Sequence, residues 1–376
     1  MTSRIDKLNR IRDTKNVDAF LITSAVSVKY FSGYFYNFET GPSPFHLLPA
    51  ALFVGNSVSL IIADNEAYQL SNPDPALLIR KYESYVYEKP LAHTEQFLIQ
   101  LHEAFKQNGI RTARIGIEQN YFPFVIAQSL LSKYPGIEFV DVSPELTYLR
   151  AIKDSDEIEN IRNAAHLCDI GQAAVLKYAK EGITELELFS KVRLEMETAA
   201  GARLPMMTDL VSGATTATGG GNPTNRIINK NDLVLTDLTP CFNGYWGDCC
   251  STIVVGLPTE EQKRIYVLVR EALEIGISAI RPGVQAKEVD SAMRNHLEAE
   301  GGFGHHGGHG VGIFYHEEPR IVPYNSMLLQ PGMVIALEPA VYKNDYGIRL
   351  EHLMVVTEGG CEILTKFEYS FEQIPQ

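Results

Sequence analysis

The chain has 376 residues, 45% hydrophobic and 21% charged, the composition of a globular protein with room for two or three cores. Its formal net charge of -13 repels phosphate backbones and anionic lipid, which excludes nucleic acid and the membrane surface as expected partners. No apolar run approaches membrane-spanning length, MTSRIDKLNR lacks the apolar core of a signal peptide, and five cysteines without zinc-knuckle spacing predict a reducing, cytoplasmic setting.

In chain order, Ile5, Leu8 and Ile11 predict a helix over 4–16, and VDAFLITS a strand over Val17–Ser24. Ala50–Val54 and Val58–Ala63 flank Gly55-Asn56 as a hairpin. The Pro/Gly-rich stretch 38–46 reads as a mobile loop. A helix over His93–Gln107 stops at Asn108-Gly109, and a strand at Arg114–Glu118 precedes a helix at Phe124–Tyr134. This alternation predicts a small α/β domain over residues 1–150.

Past a boundary near 146–156, Asp154 with Glu157, Thr184 with Glu187 and Thr259 with Gln262 have capping-box spacing. They open helices over 155–180, 184–200 and from 259 to Pro282-Gly283, and a fourth helix is expected over 286–300. Strands are expected at 207–212, 332–337, 340–343 and 348–357. Helix pairs followed by antiparallel strands predict an α+β domain over 151–376, and the pattern occurs twice, in 155–255 and 259–357.

The stretch Asp232–Val255 reads as a hairpin around Phe242, Asn243 and Gly244, with Asp237 on one arm and Asp248 on the other. A turn centred between Phe242 and Asn243 opposes the two aspartates directly, and one centred on Asn243-Gly244 leaves them diagonal on the same face. Solvated surface aspartates would also satisfy the pattern, but facing carboxylates repel and call for a shared proton or a cation. The adjoining Cys249-Cys250 reads as a pair of small buried hydrophobes rather than a thiolate site. The loop 302–319 sets His305, His306, His309 and His316 among six glycines, a composition suited to metal or proton chemistry. Glu338 ends an apolar strand and Glu351 follows Arg349 by two residues. Four carboxylates with one imidazole suit Mn²⁺, Fe²⁺, Co²⁺ or Zn²⁺.

The order Asp-x₁₀-Asp, Gly-His-Gly-Val-Gly, Glu-Pro, Arg-x-Glu resembles the pita-bread metallopeptidases, which include Xaa-Pro aminopeptidases and Xaa-Pro dipeptidases. The likeness spans about 150–360, and the N-terminal third is similar to the creatinase-type N-terminal domain of the proline-specific branch. It implies a C-terminal pita-bread domain behind a smaller α/β N-terminal domain, with Asp237, Asp248, His309, Glu338 and Glu351 as ligands of two divalent ions. Mn²⁺ leads among the metals, and Asp248 and Glu351 would bridge both ions. By the same resemblance, His305, His316, Glu338 and Arg349 serve catalysis, and a metal-bridged hydroxide cleaves an amide bond of a small peptide. A homodimer is implied as well.

Three positions depart from the family pattern. In the loop SGATTATGGGNPTNR, Ser212, Gly213, Pro223, Thr224 and Arg226 keep step, but the histidine position holds Gly220. Asp248 is followed by Cys-Cys-Ser where Asp-x-Thr-Arg is usual, and Asp237 by Leu-Thr where Asp-x-Gly is usual. Gly220 is expected to open a side chain's worth of space, expose backbone N–H groups and weaken turnover of ordinary Xaa-Pro dipeptides. A metal enzyme acting on a non-peptide small molecule, as ectoine hydrolase or a lyase of this fold does, is the alternative. A non-catalytic binding homologue stands third, because the ligand set is intact.

Overall fold

The computed structural model describes residues 2–35, 47–70 and 73–371. The loop expectation for 38–46 lies outside them. The chain separates into two compact units, Met1–Arg150 and Ala151–Gln376.

The first unit runs α1 (Thr2–Lys15), β1 (Ala19–Ile22), α2 (Ala25–Ser32), β2 (Ala51–Val54), β3 (Val58–Ala63), β4 (Leu77–Tyr82), α3 (His93–Gln107), β5 (Thr112–Ile117), α4 (Phe124–Lys133) and β6 (Gly136–Asp141). Its mixed sheet has the order β4-β3-β2-β1-β5-β6, and β2 and β3 form the expected antiparallel hairpin. The first strand is shorter than expected and ends at Ile22. Ser24 caps α2 instead, its hydroxyl accepting from the Ser27 N–H, and Gly33 stops that helix at φ 78°. Phe97, Leu101 and Phe105 of α3 pack on Phe53 and Ile61 of the sheet.

A helix, α5 (Ser143–Ala151), precedes the second unit. There α6 (Ser155–Tyr178) and α7 (Glu185–Ala200) lead into β7 (Met206–Ser212), β8 (Leu233–Phe242), β9 (Tyr245–Trp246) and β10 (Cys249–Val254). Next come α8 (Glu260–Ala279), α9 (Ala286–Leu297), β11 (Gly308–Gly310), β12 (Glu317–Ile321), β13 (Val334–Leu337), β14 (Ala340–Tyr342), β15 (Gly347–Arg349), β16 (His352–Thr357) and β17 (Gly360–Ile363). Capping boxes open α6, α7 and α8 where the spacing predicts them. α8 ends at Ala279, before Pro282-Gly283, and α9 gives way to a 3₁₀ turn over Glu298–Glu300.

Each half of the second unit sets a helix pair on its own sheet. Leu188, Val192 and Met196 of α7 meet Leu210, Val234 and Leu238 under the β10-β8-β7 sheet. Val269, Leu273, Val289 and Met293 of α8 and α9 meet Ile335, Leu337 and Met354 of the β12-β11-β13-β16-β17 sheet. The strand expected over 348–357 divides between two sheets, β15 pairing with β14 and β16 with β13. The break at Leu350-Glu351 is where the two halves are joined, because the Glu351 N–H donates to the Cys250 carbonyl at 2.9 Å.

Candidate metal centre

The hairpin settles where Asp237 and Asp248 stand. Asn243 and Gly244 take φ 52° and 78°, the left-handed pair that a two-residue turn needs. The turn therefore centres on them and pairs Asp237 with Cys250. The aspartates are diagonal neighbours on one face, and the Thr239 hydroxyl lies 3.4 Å from Asp237 Oδ1 and 3.3 Å from Asp248 Oδ1.

His309 arrives from the other sheet, in the centre of β11, opposite Ala336. The glycines flanking it are required by close packing. A Cβ at position 308 would stand 2.1 Å from the Ala336 carbonyl oxygen, and one at 310 would stand 2.3 Å from that of Glu318. His309 Nε2 lies 3.6 Å from Asp248 Oδ2 and 3.5 Å from Glu338 Oε1. Glu338 follows β13, and Glu351 sits at the β15–β16 break. Ligand atoms of Asp248, His309 and Glu351 lie within 4.8 Å of one another, as do those of Asp237, Cys250 and Glu351.

These groups fit a cation. Asp248, His309, Glu338 and Glu351 are all buried, and buried charges need partners. Burial pushes Asp237 up to about 6 despite the Arg349 guanidinium, with Asp209 and Glu338 adding repulsion. Burial raises Asp248 and Glu351 well above the ordinary carboxylate range, and the neighbouring carboxylates push the same way. Glu351 Oε2 has no hydrogen-bond partner. Burial holds His309 neutral, at about 3, which leaves a ring nitrogen free to ligate. An oxygen-rich buried set with one neutral imidazole is the donor chemistry of a divalent-ion site.

The remaining expected residues border the same cleft. His305 Nε2 lies 3.1 Å from the Tyr342 hydroxyl, and the His316 ring centroid is 4.2 Å from that of His309. Burial lowers His316 to about 4, with the nearby His306 and Arg320 contributing. Arg349 Nη2 donates to Asp237 Oδ2 at 2.6 Å, Nε donates to Cys250 Sγ at 3.3 Å, and Nη1 reaches the Gly219 carbonyl.

Sequence reasoning did not assign three participants. His306 Nε2 lies 2.8 Å from Glu338 Oε1, though its presence in the four-histidine run was a signal. Cys249 and Cys250 are fully buried as expected of small hydrophobes, yet the Cys250 sulfur also borders two of the carboxylates. Asp209 of β7 is the register partner of Asp237 and carried no local signal at all.

The glycine-rich loop is clasped by one buried carboxylate. Glu185 accepts from the Ser212 N–H at 2.7 Å, the Ser212 hydroxyl at 2.7 Å, the Thr224 N–H at 3.1 Å and the Thr224 hydroxyl at 2.7 Å. Arg226 adds a hydrogen bond to the Ser212 hydroxyl at 2.6 Å and an ion pair to Asp232 at 2.8 Å. Gly220 lines a cleft, but the place its side chain would take is held by Asp209, since a Cβ there would stand 1.9 Å from Asp209 Oδ2.

Comparison with known proteins agrees with this geometry. Residues 159–358 match the model of metallopeptidase family M24, and residues 4–152 match the creatinase/prolidase N-terminal domain. The chain is 33% identical over 373 residues to an Xaa-Pro dipeptidase of Pyrococcus furiosus, covering 98% of this chain and 99% of that protein. A prolidase structure from Pyrococcus horikoshii superposes with a TM-score of 0.82 at 30% identity, over 98% of this chain and 99% of that one. An X-Pro aminopeptidase structure from Thermotoga maritima superposes with a TM-score of 0.81 at 25% identity, over 96% and 99%.

Proposed function

The chain belongs to metallopeptidase family M24, and on that premise we propose that it hydrolyses the amide bond of Xaa-Pro dipeptides or related small peptides. The observation that carries the reading is the buried cluster of Asp248, His309 and Glu351, with Asp237 and Glu338 beside it, in a chain similar along its whole length to an Xaa-Pro dipeptidase. Asp237, Asp248, His309, Glu338 and Glu351 would hold two divalent ions. Bound there, such ions supply Lewis acidity and lower the pKa of the attacking water. The oxygen-rich donors favour Mn²⁺, with Co²⁺, Zn²⁺ or Fe²⁺ as alternatives. A homodimer and a cytoplasmic setting belong to the same reading.

The chain's own groups divide the remaining work. Glu338 is buried, which alone would raise it, but His306, His309 and Arg349 outweigh that and hold it ionised at about 2. As an ionised carboxylate it can accept a proton from the attacking water, but the partners that lower its pKa also make it a weaker base. His316 is neutral at pH 7 and donates a ring N–H to the oxygen on which charge develops. His305, braced by Tyr342, binds the substrate. Arg349 holds Asp237 in place through its 2.6 Å ion pair.

A non-peptide amide is the second reading, favoured by Asp209 standing where the family pattern places a histidine. A panel of Xaa-Pro peptides and small amides, assayed with and without Mn²⁺, separates the two. Metal-dependent cleavage of Xaa-Pro peptides is expected. Cleavage of small amides alone transfers the assignment to the second reading.

A further inference from the structure

Asp209 is the register partner of Asp237 across β7 and β8, so both side chains leave the same face of the sheet. It borders two adjoining clefts, of about 420 and 610 Å³, that share Asp237, His316 and Glu338. Its side chain is 40% exposed. At position 220 a Cβ would lie 1.9 Å from Asp209 Oδ2, so this carboxylate must move to admit any side chain at 220. Arg349 does not engage it closely, because Nη2 stands 3.8 Å from Asp209 Oδ2 while binding Asp237 at 2.6 Å. The place where a side chain at 220 would begin is thus held by a carboxylate oxygen, an acceptor when ionised, rather than by an imidazole that can donate.

We propose that Asp209, seated in the space glycine leaves at 220, forms an anionic subsite that selects substrates bearing an additional, side-chain ammonium or guanidinium group near the scissile bond. Charge complementarity sets the preference. A cation entering the cleft meets a carboxylate whose ion pair to Arg349, at 3.8 Å, is long, while a substrate carboxylate meets repulsion there. Arg349, flanked by Asp237 and Asp209, is correspondingly less available to a substrate carboxylate. The proposal rests on reading the cleft as a hydrolase site and names the class of substrate that site takes.

The test uses Mn²⁺-loaded full-length protein and matched substrates: Lys-Pro against norleucyl-Pro, and Ala-(4-aminoproline) against Ala-Pro. In the wild type, kcat/KM should favour the cationic member of at least one pair by about 10–100-fold, the scale of a charge-assisted hydrogen bond. Asp209→Asn should collapse that ratio without changing metal content. Gly220→Ala, whose methyl group displaces the carboxylate, should do the same. Turnover without preference in either pair overturns the proposal and leaves the hydrolase reading intact. Loss of both members in parallel assigns Asp209 to holding Arg349, and loss of metal assigns it to the metal set; either result overturns the subsite. If no dipeptide is cleaved, the Xaa-Pro peptidase reading fails, and calorimetry with lysinamide and norleucinamide decides the subsite alone. A preference for lysinamide that disappears in Asp209→Asn supports it, and equal affinities overturn it.

Discussion

Asp248 and Asp237 differ in depth and in company, and that difference is measurable. Asp248 is 4% exposed and shares its surroundings with His309 and Glu351, whereas Asp237 is tied to Arg349. Asp248→Asn should therefore deplete bound metal more than Asp237→Asn, read by elemental analysis of protein exposed to Mn²⁺. His316 approaches His309 by ring contact, and its neutral ring is free to donate. His316→Ala should lower kcat about 10²–10³-fold with metal content unchanged, the scale of losing one transition-state donor. An equal fall in metal content would show that His316 supports the ligands instead. The carboxylates and histidines were legible in the sequence because their chemical type, order and spacing are themselves the signal. Asp209 was not, because its significance comes from pairing with Asp237 on another strand and from a contact with Gly220 across a loop.

Among the elements, helix starts were the most legible features. A capping box is a local hydrogen-bond exchange, and Thr184 with Glu187 closes it at 2.8 and 3.1 Å. The strand break at Leu350-Glu351 was hidden, because an apolar run does not reveal that two sheets divide it. The hairpin register was fixed only by the left-handed backbone of Asn243 and Gly244. The Ser-Gly…Pro-Thr-x-Arg loop keeps its spacing for a structural reason, since Glu185 at 1% exposure ties Ser212 to Thr224. Glu185→Ala would strand the buried Ser212 N–H and leave the Thr224 N–H to solvent, and should cost about 2 kcal/mol, seen as a lower midpoint for the second unit's thermal transition. An unchanged midpoint would mean that water replaces the clasp without loss.

At the scale of the whole molecule, the two units carry separate apolar cores, and none of the helices among the described residues is long and apolar enough to cross a membrane. The first unit has its own pH response. Burial lowers the pKa of His102 below 6.5, and Lys133 adds to the effect. The unfolded chain then takes up a proton before the folded unit does. His102 consequently contributes stability above pH 6.5 that is lost as pH falls from 6.5 toward its depressed folded value. Denaturant titrations across that interval should show the slope in wild type and a flatter line in His102→Gln. The architecture was legible from alternating and paired elements. The convergence of ligands from two sheets was not, because it depends on contacts between segments distant in sequence, such as the Glu351–Cys250 bridge and the Trp246 N–H to Gly312 carbonyl bond.

The claim on which the rest depends is that Asp237, Asp248, His309, Glu338 and Glu351 together hold two divalent ions. Elemental analysis of full-length protein, stripped with chelator, reloaded with Mn²⁺ and desalted, tests it most directly when wild type and Asp248→Asn are compared. About two ions per folded wild-type chain and near-complete loss in the variant are expected, because Asp248 is buried among His309 and Glu351 and would be shared by both ions. A folded wild type that retains no metal, or a variant that retains as much as wild type, would contradict it.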